Sequence, residues 1–131
     1  MSRAQYSEDI DGWELIRWRG AVAKAIKGKR GQAFLREMLI ALDALPDKRL
    51  IAHELEKDSE VCAIGSVGKA RGIDLSTVDP EDYGGVAATF GVSQALVREI
   101  EFVNDDWLDY RETPEQRFQL VRSWVAKHIV G

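Results

Sequence analysis

Cys62 and His53 are the side chains of this chain best suited to nucleophilic chemistry, since a thiolate with an imidazole beside it can attack a carbon centre. They stand nine positions apart on either side of a polar break, where a hairpin would bring them together. A lone cysteine with a histidine is also the ordinary content of a fold in which the thiol is a small buried apolar group and the imidazole is partly exposed. Gly65-Ser66-Val67-Gly68-Lys69-Ala70 has the outline of a phosphate-binding loop. Ala63 holds the place of the required first glycine, however, and Ala70 that of the hydroxyl residue after the lysine, so no nucleotide triphosphatase is implied. Cys62 is the only cysteine and His53 and His128 the only histidines, too few for a multi-cysteine or carboxylate-assisted zinc site. Asp105-Asp106 reads as a solvated loop. The expectation is a protein that is not an enzyme and carries no cofactor and no metal.

Charge is the more informative signal. The net charge is −4, which argues against a dedicated DNA-coating protein, but the average hides an asymmetry. Between Leu15 and Arg36 there are seven basic residues and no acidic one: Arg17, Arg19, Lys24, Lys27, Lys29, Arg30 and Arg36. Glu99 to Glu115 carries seven carboxylates against Arg111 alone. One stretch suits anions and the other imitates them. Helical spacing places Arg17, Lys24 and Lys27 on one side, with Gly20 between them, and Gly28-Lys29-Arg30-Gly31 follows at the start of the next helix. Unpaired N–H groups and partial positive charge at a helix start, with two cations beside them, predict a phosphate or carboxylate site. The plainer alternative is a solvated cationic face and a glycine-rich turn.

The elements that must position these residues are mostly helical. With 131 residues and 45% hydrophobic side chains the chain is expected to form a single domain, 1–131, with residues 1–10 flexible. Leu15, Trp18, Val22 and Ile26 mark a first helix over 12–27, stopped at Gly28. Leu35, Met38, Leu39, Leu42 and Leu45 mark a second over 32–45, closed by Pro46. Leu50–Glu56 and Val61–Ile64, parted by Lys57-Asp58-Ser59-Glu60, read as a short β-hairpin or as two helices. Gly65, Gly68 and Gly72 would share one bare face of a short helix. Two more helices follow at 86–90 and 93–103. The last has an explicit start, with Thr113 as cap, Pro114 in the first position and Gln116 as capping-box partner. Phe118, Val121, Trp124, Val125 and Ile129 form its buried stripe, and Lys127 and His128 complement its dipole. The fold class is therefore mainly α, a compact bundle of five or six helices with at most a small β-hairpin around residues 50–64. Its core is expected to hold Leu35, Met38, Leu39, Leu42, Phe90, Val97, Ile100, Phe118, Val121 and Val125. No apolar run is long enough to span a bilayer or to serve as a leader, which predicts a cytoplasmic protein.

Within Tyr83–Phe102, Gly91 stands in a turn and Ala87 four residues before it. Val86, Phe90, Val92, Val97 and Ile100 occupy the apolar positions, and the segment resembles the helix-turn-helix of bacterial and phage repressors. That resemblance implies that Ser93, Gln94, Ala95, Arg98 and Glu99 face a major groove. Gly84-Gly85 and the carboxylates around the motif depart from the pattern. Across nearly its whole length the chain also resembles a family of small uncharacterised phage and prophage proteins of proteobacteria. Asp11-Gly12-Trp13, Ile16-Arg17-Trp18-Arg19-Gly20-Ala21-Val22, Gly28-Lys29-Arg30-Gly31-Gln32-Ala33-Phe34-Leu35, Val61-Cys62-Ala63-Ile64-Gly65, Arg71-Gly72-Ile73-Asp74 and Glu112-Thr113-Pro114-Glu115-Gln116-Arg117-Phe118 carry it. It implies an accessory protein that binds rather than catalyses, acting in the host cytoplasm. Two partners are compatible with these residues. A nucleic-acid-binding regulator would use Arg17, Lys24, Lys27, Lys29, Arg30, Ser93, Gln94 and Arg98. An anti-CRISPR-like inhibitor of a host nucleic-acid-handling complex would use the acidic stretch as a nucleic-acid mimic. No membrane partner is expected, and a homo-oligomer is compatible with both.

Overall fold

A computed structural model describes residues 12–106 and 112–130, among which the chain is mainly α, with six α-helices and a two-stranded antiparallel sheet. Residues 1–10, expected to be flexible, lie outside the described residues. Helix α1 spans Gly12–Lys27 and α2 spans Lys29–Asp43. The second helix starts three residues earlier than its apolar spacing predicts. Gly28 adopts an extended conformation (φ −66°, ψ 162°) that turns the chain, and the helix resumes at once through Lys29 and Arg30. Phe34, Leu35, Met38, Ala41 and Leu42 form its buried stripe, with Leu39 half-buried against them.

The hairpin is real and narrower than 50–64. Strand β1 is Glu56–Lys57 and β2 is Glu60–Val61, joined by Asp58 and Ser59, both at positive φ (53° and 67°). Such a pair of left-handed residues is the tight turn that matches strand twist. The chain before β1 still bonds to the β2 side, the Ile51 amide donating to the Val61 carbonyl at 3.0 Å and the Cys62 amide to the Leu55 carbonyl at 3.1 Å, but other groups in it bond to distant elements. The Leu50 amide donates to the Pro114 carbonyl at 3.1 Å, and the Ile51 carbonyl accepts from Asn104 Nδ2 at 2.9 Å.

Helix α3 (Ala63–Arg71) begins at Cys62, whose Sγ accepts from the Gly65 amide at 3.3 Å. Gly65 lets α3 lie against the preceding loop, since a Cβ there would sit 2.0 Å from the Leu55 carbonyl oxygen. Gly68 shares that bare face, but Gly72 does not: it ends the helix in the left-handed conformation at φ 75°. After a 3₁₀ turn at Leu75–Thr77 come α4 (Tyr83–Phe90), α5 (Gln94–Asp106) and α6 (Pro114–His128). The α6 start is the expected capping box: Gln116 N–H donates to Thr113 Oγ1 at 3.1 Å, and the Thr113 amide donates to Gln116 Oε1 at 2.9 Å.

Helices α1, α3 and α6 each pack against both α2 and α5, and α4 closes over α5. One hydrophobic cluster runs from Val22 to Val125. It contains the expected core residues, of which only Leu39 is partly exposed. Burying such side chains contributes about 1.5–3 kcal/mol each. Two buried amides tie the layers together. Asn104 Oδ1 on α5 accepts from the Ala63 amide at 3.0 Å. Gln32 Nε2 on α2 donates to the Ile26 carbonyl at 2.7 Å and the His128 carbonyl at 2.9 Å, while its Oε1 accepts from the Val130 amide at 2.8 Å.

Candidate functional site

The corner between α1 and α2 is set by Gly31 and Gln32. A Cβ at Gly31 would fall 1.9 Å from the Ala25 carbonyl oxygen, so only glycine lets the first turn of α2 rest on the end of α1. Gln32 then locks that turn to the ends of α1 and α6. The result is a cleft of about 240 Å³ lined by Lys24, Gly28, Lys29, Arg30, Gly31 and Ser93, among others. Sequence positions 24 to 93 thus meet at one place, and four of the expected site residues, Lys24, Lys29, Arg30 and Ser93, share it. No carboxylate lines it. Lys24, Lys29 and Arg30 are exposed, and none forms an ion pair among the described residues.

Two helix starts open on this cleft. The first N–H groups of a helix have no partner within it, and Gly28 has no side chain with which to cap those of α2. The first turn of α2 has no acidic residue and carries Lys29 and Arg30 instead. Ser93 begins α5, its Oγ accepting from the Leu96 amide at 3.2 Å. Partial positive charge from two helix ends therefore adds to three cations.

The remaining expected residues lie elsewhere. Arg17 is exposed on α1 outside the cleft. Lys27 lines a second cleft, of about 310 Å³, with Arg19, Glu99, Trp124 and His128. Arg98 is half-buried, its guanidinium 4.4 Å from the centre of the Trp18 ring and 5.2 Å from that of Tyr83.

This bears directly on the helix-turn-helix expectation. Gly91 takes φ 74° in the turn between α4 and α5, its amide donates to the Ala87 carbonyl at 2.8 Å, and Val86, Ala87, Phe90, Val92, Val97 and Ile100 are all buried. Yet α5 is covered by α1, α3, α4 and α6, and within it only Gln94 is exposed. A helix that enters a major groove needs a bare face. In this packing Ser93 caps α5 and Arg98 is held between two aromatic rings. Of the residues that the motif would aim at a groove, only Gln94 is fully exposed.

The acidic stretch turns inward as well. Glu101 is 1% exposed, the side chains of Asp105 and Glu112 are 0% and 3% exposed, and Glu99 and Asp106 are half-buried. Glu112 pairs with Arg117 at 3.0 Å. Among the described carboxylates of 99–115 only Glu115 is exposed, while Asp109 lies outside the described residues. No row of surface carboxylates resembling a phosphate backbone is displayed there among the described residues.

His53 meets Asp105, with its amide 3.1 Å from Oδ1 and its Nδ1 3.6 Å from Oδ2, while the buried Cys62 thiol caps α3. No group of three potential metal ligands occurs among the described residues. No described helix is long and apolar enough to cross a membrane.

The second cleft was not anticipated. Trp124 is half-buried and stacks on His128 with ring centres 4.4 Å apart, and His128 Nδ1 lies 2.7 Å from the Trp124 carbonyl oxygen. Burial raises the pKa of the Glu99 carboxyl above its ordinary value, against the opposing pull of His128 and Arg19. In the sequence Trp124 reads as part of a buried stripe and His128 as a complement to the helix dipole. Nothing local brings α1 and α5 to it.

No protein-family model, curated protein or solved structure matches this chain.

Proposed function

We propose that this protein is a non-catalytic nucleic-acid-binding module that holds a phosphodiester backbone at the α1–α2 corner. The observation that carries this reading is the cleft lined by Lys24, Lys29 and Arg30 at an uncapped helix start. A helix start favours carboxylates, and each misplaced cation costs about 0.3–1 kcal/mol. Lys29 and Arg30 stand where the fold gains least from them, and a bound phosphate reverses the sign of that interaction. Lys27 and Arg19 add positive charge at the neighbouring cleft and Arg17 is exposed elsewhere on α1, so further cations lie on the same helix. Backbone contacts of this kind position a nucleic acid without reading its sequence. In the phage setting that the sequence resemblance implies, such a module serves as an accessory regulator.

The test is binding to duplex DNA by fluorescence anisotropy across a salt series. Affinity should fall steeply as salt rises, and Lys29→Ala with Arg30→Ala should reduce the salt slope by about two. Unchanged affinity of this double variant at low salt would contradict the reading. Removing cations from a helix start does not weaken the helix, so unfolding does not confuse the result.

A further inference from the structure

The second cleft lies between α1, α5 and α6 and continues the basic side of α1. Its walls differ in chemistry from those of the corner. Trp124 and His128 supply aromatic surface, buried Val22 adds an apolar wall, and Arg19 and Lys27 bring positive charge. Among these stands Glu99, half-buried, with no hydrogen bond or ion pair to any described residue. Arg19 and His128 favour its charge from the cleft walls, its oxygens stay open to the cleft, and a ligand that brings donors can bond them there. An ionised carboxylate only accepts, so the ligand must donate, and two parallel N–H groups suit its two oxygens.

Three constraints then select the ligand. It is flat enough to lie against Trp124, it presents paired donors to Glu99, and it carries negative charge for Arg19 and Lys27. A guanidinium meets the first two and is repelled by the third. Guanine presents N1–H and its exocyclic amino group on one edge, and its nucleotide carries the phosphate. The volume of about 310 Å³ suits one such group, at the small end of ligand sites. We propose that the α1/α5/α6 cleft takes an unpaired guanine of a single-stranded nucleic acid, with Glu99 accepting from its donor edge and Arg19 and Lys27 holding its phosphate. This rests on the nucleic-acid reading above and adds base recognition to it. Unpaired bases are read in this way, by stacking on aromatic rings and by hydrogen bonds to their edges.

The experiment compares short oligothymidines carrying a central guanine, hypoxanthine, adenine or thymine, by anisotropy at low salt. Guanine should bind tighter than adenine or thymine by on the order of tenfold, as one good paired contact discriminates. Hypoxanthine, which lacks the amino group, should fall between. Glu99→Gln should erase the preference and leave binding to plain oligothymidine intact. Lys29→Ala with Arg30→Ala should weaken all strands alike and keep the preference. Equal affinity for all strands, or a preference that survives Glu99→Gln, overturns the inference and leaves the backbone reading standing. Displacement of the guanine strand by argininamide as readily as by guanosine monophosphate overturns it too. Absence of binding to every single strand and to duplex DNA overturns both.

Discussion

Glu99 and Glu37 are both glutamates near arginines, and their environments push them in opposite directions. Burial raises the Glu99 pKa, so the folded state holds its proton more tightly than the unfolded chain does. Its contribution to stability is therefore fullest below the usual carboxylate range and is lost as pH rises through the raised value. Glu99→Gln should raise the melting temperature at neutral pH and change it little in acid, and equal shifts at both would refute this. Glu37 is lowered first by its hydrogen bonds to Arg71, at 2.6 and 2.7 Å. Its stabilisation is present above the unfolded pKa and lost as pH falls through the folded one. Arg71 also lies 5.8 Å from the Phe34 ring centre and 5.6 Å from that of Phe90. Lysine keeps the charge but neither the fork nor the flat stack, so Arg71→Lys should cost about 1 kcal/mol in urea unfolding. Asn104→Ala leaves the buried Ala63 amide unbonded and should cost about 2–3 kcal/mol by the same measurement. The Thr113–Gln116 cap was legible because its partners are three residues apart. Asn104 and Gln32 were not, because theirs lie 41 and 96 residues away, and nothing in a local pattern distinguishes a buried amide from a surface one.

Helices with a strong apolar period were readable, as α2 and α6 show, because their burial is one-sided. Helix α5 was readable as a helix and misleading as a surface. Arg98, Glu99, Glu101, Asn104 and Asp105 make it polar enough to suggest solvent or DNA, yet α1, α3, α4 and α6 all pack on it from other parts of the chain. Such polar residues are tolerated inside when partners arrive from distant elements, as Trp18 and Tyr83 do for Arg98. The hairpin was visible as a polar break between apolar runs, but the bonds of its first run to Pro114 and Asn104 were not. At its turn Ser59 adopts φ 67°, a conformation glycine adopts at no steric cost. Ser59→Gly should therefore stabilise the protein by up to about 1 kcal/mol in chemical denaturation. A loss of stability would mean that the Ser59 side chain contributes more than its backbone strain costs.

For the molecule as a whole, the net charge of −4 conceals a separation of charge along α5. Its start shares a cleft with Lys24, Lys29 and Arg30, and its end carries Asp105 and Asp106. At 1.5 Å per residue its 13 residues hold these ends roughly 20 Å apart. Composition averages this away, the sequence shows a basic stretch and an acidic one, and the folding of α1 and α2 onto the start of α5 brings the cations to one end of that helix. Placing cations at the start of α2 opposes helix stability, and on this account anion binding is what they serve. The sharpest measurement is the thermal unfolding of Lys29→Glu with Arg30→Glu, alone and with duplex DNA at low salt. Carboxylates suit a helix start, so the variant alone should melt at a higher temperature than the parent. A ligand that binds the native state raises the melting temperature, so DNA should stabilise the parent and leave the variant unmoved. A variant that melts lower than the parent and is stabilised by DNA to the same extent would contradict the account.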